Sequence, residues 1–289
     1  RFDPEWGGMR GSPKFPSSLP THLLLRHARR SGDKEVLNAA VLTLEKMAAG
    51  GMHDQLGGGF HRYSTDHRWL VPHFEKMLYD NALLVQEYLA AAQMTGRKDF
   101  AQTARFTLDY VLREMTRHDG PFFSATDADS EGEEGTFFLW DLKQLNELLP
   151  KEVARSAIAA WAVSESGNFE HRNIFWLPRP LTEVARGLKI SDAKLDEHLS
   201  QARSVLYPVR AKRIAPGLDD KVMVDWNGLM IAALARASWV LDEPRYLKAA
   251  QAAAAFHLSK MRGAKGRLRH SAKGDQVQEQ AFLEDYAFL

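Results

Sequence analysis

The chain has 289 residues, 45% apolar and 26% charged, with 12 Pro and 20 Gly, which excludes collagen-like and disordered classes and allows a substantial core. Its formal net charge is +1 with the signs interspersed, so neither a nucleic-acid-binding face nor an acidic tail is expected. Cysteine is absent, which removes disulfides, thiolate ligands and cysteine nucleophiles and fits a reducing, cytoplasmic setting.

In chain order, "RFDPEWGG" is neither a signal nor a transit peptide, and no apolar run approaches the ~18 residues of a membrane span. "SSLPTHLLLRHARRSG" predicts a helix, with Ser and Pro at its start and Gly at its end. Its basic cluster, Arg26 to Arg30, reads as a solvated helix face. "DKEVLNAAVLTLEKMAAGG" predicts a second helix with Asp33 as N-cap. "HFEKMLYDNALLVQEYLAAAQMTG" and "RKDFAQTARFTLDYVLREMTRHDG" predict an αα-hairpin, and Met77, Leu84, Tyr88 and Ala92 share a stripe on its first helix. "GPFFSATDADSEGEEGTFFLW" reads as a β-hairpin around an acidic turn. Further helices are expected at "DLKQLNELL", "KEVARSAIAAWAV" and "SDAKLDEHLSQARSVLYPVR", with "RNIFWLPRP" extended because two Pro close it. "DWNGLMIAALARASWVLD" and "PRYLKAAQAAAAFHLSKMRG" predict another hairpin, and "QEQAFLEDYAFL" opens one more. The start without Met and the stop inside an apolar-periodic segment lead to the expectation of a longer protein, truncated here at its C-terminus.

An internal repeat organises these helices. Lys76 to Met115 lies over Lys221 to Met261 with one inserted residue. Lys76 then matches Lys221, Asp80 matches Asp225, Phe100 matches Tyr246, and Asp285 falls on Asp80. Repeated helical hairpins bury their faces against each other, and long loops before alternate helices favour closure into a ring. The expected fold is therefore all-α, an incomplete α/α-barrel over residues 1–289 with small β-hairpin insertions. Its inner helices begin at one mouth, where the loops shape a pocket.

Chemistry-bearing residues concentrate at that predicted mouth. Gly57-Gly58-Gly59, followed by His61, Arg62 and Tyr63, reads as a sugar- or anion-binding loop. His53, His61, His67 and His73 lack the HExxH pattern, so no metal site is expected. Glu75 suits a helix N-terminus on dipole grounds. Asp80 lies beside an apolar stripe and is either a loop anchor or an acid/base group. In "TDADSEGEEG" the position of the bidentate Glu of an EF-hand is occupied by Phe138, so a calcium loop is not expected. Asp127, Asp129 and Glu131 of that turn are either site residues or a solvated turn. In "LDDKVMVDWNG", Asp225, Trp226 and Asn227 combine carboxylate, aromatic plane and amide, as sugar recognition requires.

Together "GGMRGSPKFP", "GGGFHRYSTDHRWLVPHFEKMLYDNA", "DADSEGEEGTFFLW", "DDKVMVDWNGLMIAAL" and "FLEDYAFL" resemble the helical part of the spermatogenesis-associated protein 20 (YyaL-like) family, over essentially the entire chain. The resemblance implies an N-terminal thioredoxin-like domain, absent from this sequence, ahead of a helical domain. That helical domain is similar to six-hairpin glycosidases and N-acylglucosamine 2-epimerases. Epimerases of this kind move a proton with two histidines, for which His61 and His73 are the nearest candidates. The glycosidases use a carboxylate pair.

Two functions are carried forward. The first is a carbohydrate-active pocket with epimerase-, isomerase- or glycosidase-like acid/base chemistry. Its catalytic candidates are His61, His73, Asp127, Asp129 and Asp225, and its substrate-binding candidates Arg62, Tyr63, Glu131, Trp226 and Asn227. Glu75, Asp80 and Asp285 are structural or site residues. The second is a non-catalytic scaffold that binds a ligand or client for the attached thioredoxin-like domain. Neither requires a cofactor, a nucleic acid or a membrane.

Overall fold

The computed structural model describes residues 1–263 and 265–289. Its helices are α1 (Thr21–Ser31), α2 (Lys34–Ala49), α3 (Leu78–Thr95), α4 (Lys98–Glu114), α5 (Leu142–Leu148), α6 (Lys151–Ala160), α7 (Leu181–Leu188), α8 (Asp192–Arg210), α9 (Val224–Val240), α10 (Pro244–Lys260) and α11 (Leu283–Phe288). The predicted end signals operate. The Asp33 side chain accepts hydrogen bonds from the Glu35 and Val36 N–H groups at the start of α2. Gly32 ends α1 in the left-handed region.

Helices α1, α3, α9 and α11 pack side by side as an inner row, backed by α2, α4 and α10. Position in this row explains composition. The inner helix α3 is apolar on nearly every side, burying Leu78, Leu84, Val85, Tyr88 and Leu89, whereas the outer α4 is amphipathic. The Tyr88 hydroxyl donates to the Leu44 carbonyl at 2.8 Å and ties α3 to α2. This is the all-α, α/α-barrel arrangement the sequence predicts, with inner helices that start at a common mouth.

The row has one departure from sequence order. Helix α3 packs directly on α9, although α5–α8 intervene in the chain. Those four helices gather around their own core of Trp140, Leu145, Trp161, Leu195 and Leu199. They form an insertion between two barrel hairpins.

Short strands connect the helix starts. β1 (Tyr63–Ser64) pairs with β2 (Pro72–His73), and β3 (Lys76–Met77) leads into α3 and pairs with β4 (Ala125–Thr126). β5 (Asp129–Ser130) and β6 (Glu133–Glu134) make the acidic hairpin. β7 (Leu218–Asp219) extends β4, while β8 (Val222–Met223) leads into α9 and pairs with β9 (Ser271–Lys273), itself paired with β10 (Gln276–Gln278).

These pairings correct the register of the repeat. Lys76 opposes Thr126 as Val222 opposes Ala272, and Met77 and Met223 are both N-caps. Asn81 and Asn227 then play one part. The Asn81 amide donates to the Met77 and Phe60 carbonyls and accepts the Phe60 N–H. The Asn227 amide does the same with Met223 and Phe122. Asp80 therefore matches Trp226, and Asp225 matches Tyr79. The match of Asp80 to Asp285 stands, because the Tyr286 hydroxyl accepts the Leu268 N–H where the two asparagines act in the earlier units. The predicted inserted residue is unnecessary.

Candidate functional site

Part of the predicted site is structural. A carbon on Gly58 would lie 2.4 Å from the Phe106 carbonyl oxygen, and one on Gly59 would lie 2.4 Å from the Tyr110 ring. Gly58 and Gly59 thus let the loop press on α4, while a carbon on Gly57 would lie 2.0 Å from the Arg210 guanidinium. His61 is sealed, 1% exposed, with Nδ1 on the Phe74 carbonyl and its ring against Phe74 and Phe138. Burial and the nearby Lys76 ammonium hold its pKa well below the ordinary imidazole range. Asn227 is fully buried as a loop pin. These two leave the set of catalytic and substrate-binding candidates, because no substrate reaches them.

Beneath them lies an ion cluster that the sequence did not announce. Asp54 accepts from the Lys76 ammonium at 2.9 Å and the Arg210 guanidinium at 2.8 Å. Burial alone would raise the Asp54 carboxyl, but Arg210 and Lys76 outweigh it and hold it well below the usual carboxylate range. Because Arg210 closes α8, this cluster locks the insertion onto the barrel.

The mouth itself is built by an extended segment. Along residues 71–79 burial alternates, so Phe74, Lys76 and Leu78 point inward while His73, Glu75 and Tyr79 face outward. Glu75 accepts from Arg62 at 2.9 Å and lies 3.3 Å from His73 Nε2. His73 Nδ1 reaches Glu134 at 2.7 Å, and its ring stacks on Tyr63 at 5.0 Å. The hydrogen bond to Glu75 raises the Arg62 pKa, and Tyr79 acts in the same direction. Asp80, one residue on, is 8% exposed and has one oxygen without a partner. Burial pushes its carboxyl up to about 7, against the pull of Arg62.

A contact joins this group to the next helix start. The Tyr79 and Trp226 rings meet edge-on at 4.7 Å. Beside Trp226, Asp225 is half-buried, and burial together with the Asp285 charge raises its pKa. Asp285 is fully buried and takes the Phe282 N–H at 2.7 Å and His270 Nδ1 at 3.0 Å. An ionised carboxylate only accepts, so this contact places the proton on Nδ1 and leaves Nε2 with a free lone pair. Gly228 makes the assembly possible, since a carbon there would lie 2.5 Å from the Phe288 backbone where α11 crosses α9.

Among the described residues, Asp225, His270 and Asp285 are the one group that could hold a metal, with one ligand atom each within 4.8 Å of the others. Here the His270 and Asp285 donors are turned on each other as a hydrogen-bonded dyad.

The acidic hairpin divides. Glu131 and Gly132 both have positive φ, the signature of a tight hairpin turn, so no calcium loop forms. Asp127, Asp129 and Glu131 are exposed on the rim, with Asp127 capping the Ala128 N–H. Glu134, which sequence reasoning passed over, is the member that reaches the mouth. Also missed were Tyr79 and His270. No local motif marks His270, and only its place after the second repeated hairpin could have suggested it.

No family model matches the chain. Over its whole length it is 33% identical to human spermatogenesis-associated protein 20 and 34% identical to an uncharacterised Caenorhabditis elegans protein. It spans 42% and 44% of those relatives' own lengths. Cellobiose 2-epimerase from Bacillus thermoamylovorans shares 13% identity at a TM-score of 0.40, covering 96% of this chain and 88% of its own. A family 76 glycoside hydrolase from a bovine Bacteroides thetaiotaomicron strain shares 13% at 0.39, covering 89% and 50%. The whole chain is thus similar to a segment of spermatogenesis-associated protein 20 that makes up less than half of that protein.

Proposed function

We propose that this segment of a spermatogenesis-associated protein 20 homologue carries a carbohydrate-active pocket at the mouth of its inner helices. The reaction class is a proton shift beside a sugar carbonyl. One observation carries the reading. A carboxyl poised at about 7, Asp80, and a histidine oriented by a buried carboxylate, His270, flank one aromatic wall of Tyr79 and Trp226. An acid that holds its proton near neutral pH, beside an imidazole held in one orientation, is what such chemistry needs.

In this reading the apolar face of the sugar lies along Trp226, and Arg62 binds an oxygen of the ligand. His270 Nε2 takes the proton from the carbon next to the carbonyl, while Asp80 donates its proton to the carbonyl oxygen. Reversal of both transfers at the other face or the neighbouring carbon completes epimerisation or isomerisation. Asp285 positions His270 and stabilises its cation. His73, held between Glu75 and Glu134, is the second histidine at the same mouth.

The test is solvent exchange. Aldoses, ketoses and disaccharides in deuterium oxide, followed by proton NMR, should lose the signal of the hydrogen beside the carbonyl. Removing the base or the acid, by His270→Gln or Asp80→Asn, should slow exchange about 100-fold or more. The scaffold reading has its own support in the polar residues spent on clamping loops, Asn81, Asn227 and the Asp54 cluster. Saturable sugar binding without exchange or hydrolysis in any case would favour the scaffold and sink the enzyme.

A further inference from the structure

Beyond the mouth, α1, α3 and α9 enclose a cleft of about 650 Å³ that the proposed sugar chemistry does not use. Four basic side chains converge on it: His22, Arg26 and Arg29 of α1, and Arg236 of α9. Its floor is apolar, from Leu25, Ala90 and Met94. The Arg26–Arg30 cluster, which reads from sequence as a solvated face, thus meets an arginine from a distant helix.

The charges in this cleft are uncompensated. Around the same end of the hairpins Arg97, Arg105 and Arg245 are each paired with carboxylates, through Glu45, Asp99, Asp109 and Glu243. Among the described residues no such pair forms at Arg26, Arg29 or Arg236. Arg236 is instead steered by neutral groups, donating to the Gln93 side chain at 3.0 Å and the Gln86 carbonyl at 3.4 Å. The nearby carboxyl, Glu87 on the same face of α3, is half-buried, with one oxygen sealed from solvent and unpartnered. Burial raises it to about 8, so it adds no anion at neutral pH. Burial and then Arg26 depress both His22 and Arg236, which places these groups within each other's field.

Like charges gathered against an apolar floor oppose folding unless an anion offsets them. We propose that this cleft is an anion-binding site for a phosphate-bearing small molecule, gripped by Arg26, Arg29 and Arg236. The guanidinium fork matches phosphate oxygens in pairs, and converging forks suit a tetrahedral dianion better than a planar carboxylate. The volume falls in the range of small-molecule pockets, and the apolar floor would carry the organic part of the ligand. None of this depends on the reaction at the mouth.

The test uses the whole chain in titration calorimetry and thermal melts with inorganic phosphate and pyrophosphate, at ionic strength held constant with sodium chloride. Saturable binding at one site per chain, with a melting temperature that rises with ligand, is expected. Arg236→Gln should weaken it at least about tenfold, the loss of one charge-assisted hydrogen-bonding group. Arg29→Gln, at an exposed position whose loss leaves folding intact, should weaken it in the same direction. Heats no larger than with sodium chloride alone, or affinity unchanged in the Arg29→Gln/Arg236→Gln double variant, would overturn the proposal. Tighter binding of poly-glutamate than of pyrophosphate would do so as well, because the occupant would then be an acidic peptide.

Discussion

Asp80 shows how one side chain can look architectural in sequence and chemical in structure. Its position beside an apolar stripe predicts a buried carboxylate with a partner, yet one oxygen has none and burial lifts the pKa to about 7. In the unfolded chain the same group ionises near 4. Below that pH both states are protonated and Asp80 is neutral in the balance. Between about 4 and 7 the unfolded state alone releases the proton, so folding loses stability as pH rises, and the penalty is constant above 7. Asp80→Asn removes it. Urea melts of this variant should match the parent at pH 4 and show a gain at pH 8 of up to about 4 kcal/mol, from three pH units at 1.36 each. A gain independent of pH would mean the carboxyl is ionised in the fold. Exchange activity should fall in the same protein, separating the catalytic cost from the stability gain.

At the scale of elements, the loop-to-helix junction is a repeated device. Asn81 and Asn227 each cap the loop strand behind them with three hydrogen bonds while buried inside the first turn of α3 and α9. Replacing either amide leaves backbone groups of Phe60 or Phe122 buried and unpaired, which costs about 1–3 kcal/mol per group. Asn81→Ala and Asn227→Ala should therefore destabilise by similar amounts. Each should speed hydrogen exchange at the amide it holds, Phe60 in the first case and Phe122 in the second. Unequal effects confined to Asn81 would argue that the two junctions are not equivalent. The same junctions fix what faces the mouth: a one-residue shift moves Tyr79 onto Asp225 and Asp80 onto Trp226. A repeat thus presents different chemistry on the same backbone.

The whole molecule is a curved row of hairpins with a second helical cluster set on it, each with its own apolar core. Arg210, 2% exposed at its side chain, joins them by a buried ion pair with Asp54, beside the contacts of Arg203 with the Gln55 carbonyl and of Tyr207 with Arg113 and Glu114. Truncating it leaves the buried Asp54 carboxylate with Lys76 as its one ion-pair partner among the described residues, a change that typically costs about 3–5 kcal/mol. Arg210→Ala should also uncouple the two cores. Tryptophan fluorescence, which includes Trp140 and Trp161 of the insertion, should then change at lower denaturant than the helical signal of the whole chain. Coincident transitions would show instead that the apolar contacts alone keep the cores cooperative.

The helical hairpins, their end signals, the acidic turn and the similarity to spermatogenesis-associated protein 20 were legible in the sequence, because each rests on local periodicity or on long matching motifs. It also drew attention to the helix starts, where the loop before α3 carries Arg62 and His73 and the first turns of α3 and α9 carry Asp80 and Trp226. Aliphatic matches between amphipathic helices, however, tolerate a slip of one residue, and only the hydrogen bonds of Asn81 and Asn227 fixed the register. The sequence likewise could not tell His61 from His73, two histidines in one loop, because the alternation that buries one and exposes the other depends on a strand pairing. Nor could it bring His270, on the segment entering β9, to Asp285 at the start of α11, or Arg26 of α1 to Arg236 of α9. The first contact depends on how the β9–β10 hairpin folds back on α11 and the second on how the inner helices pack, and no spacing along the chain encodes either.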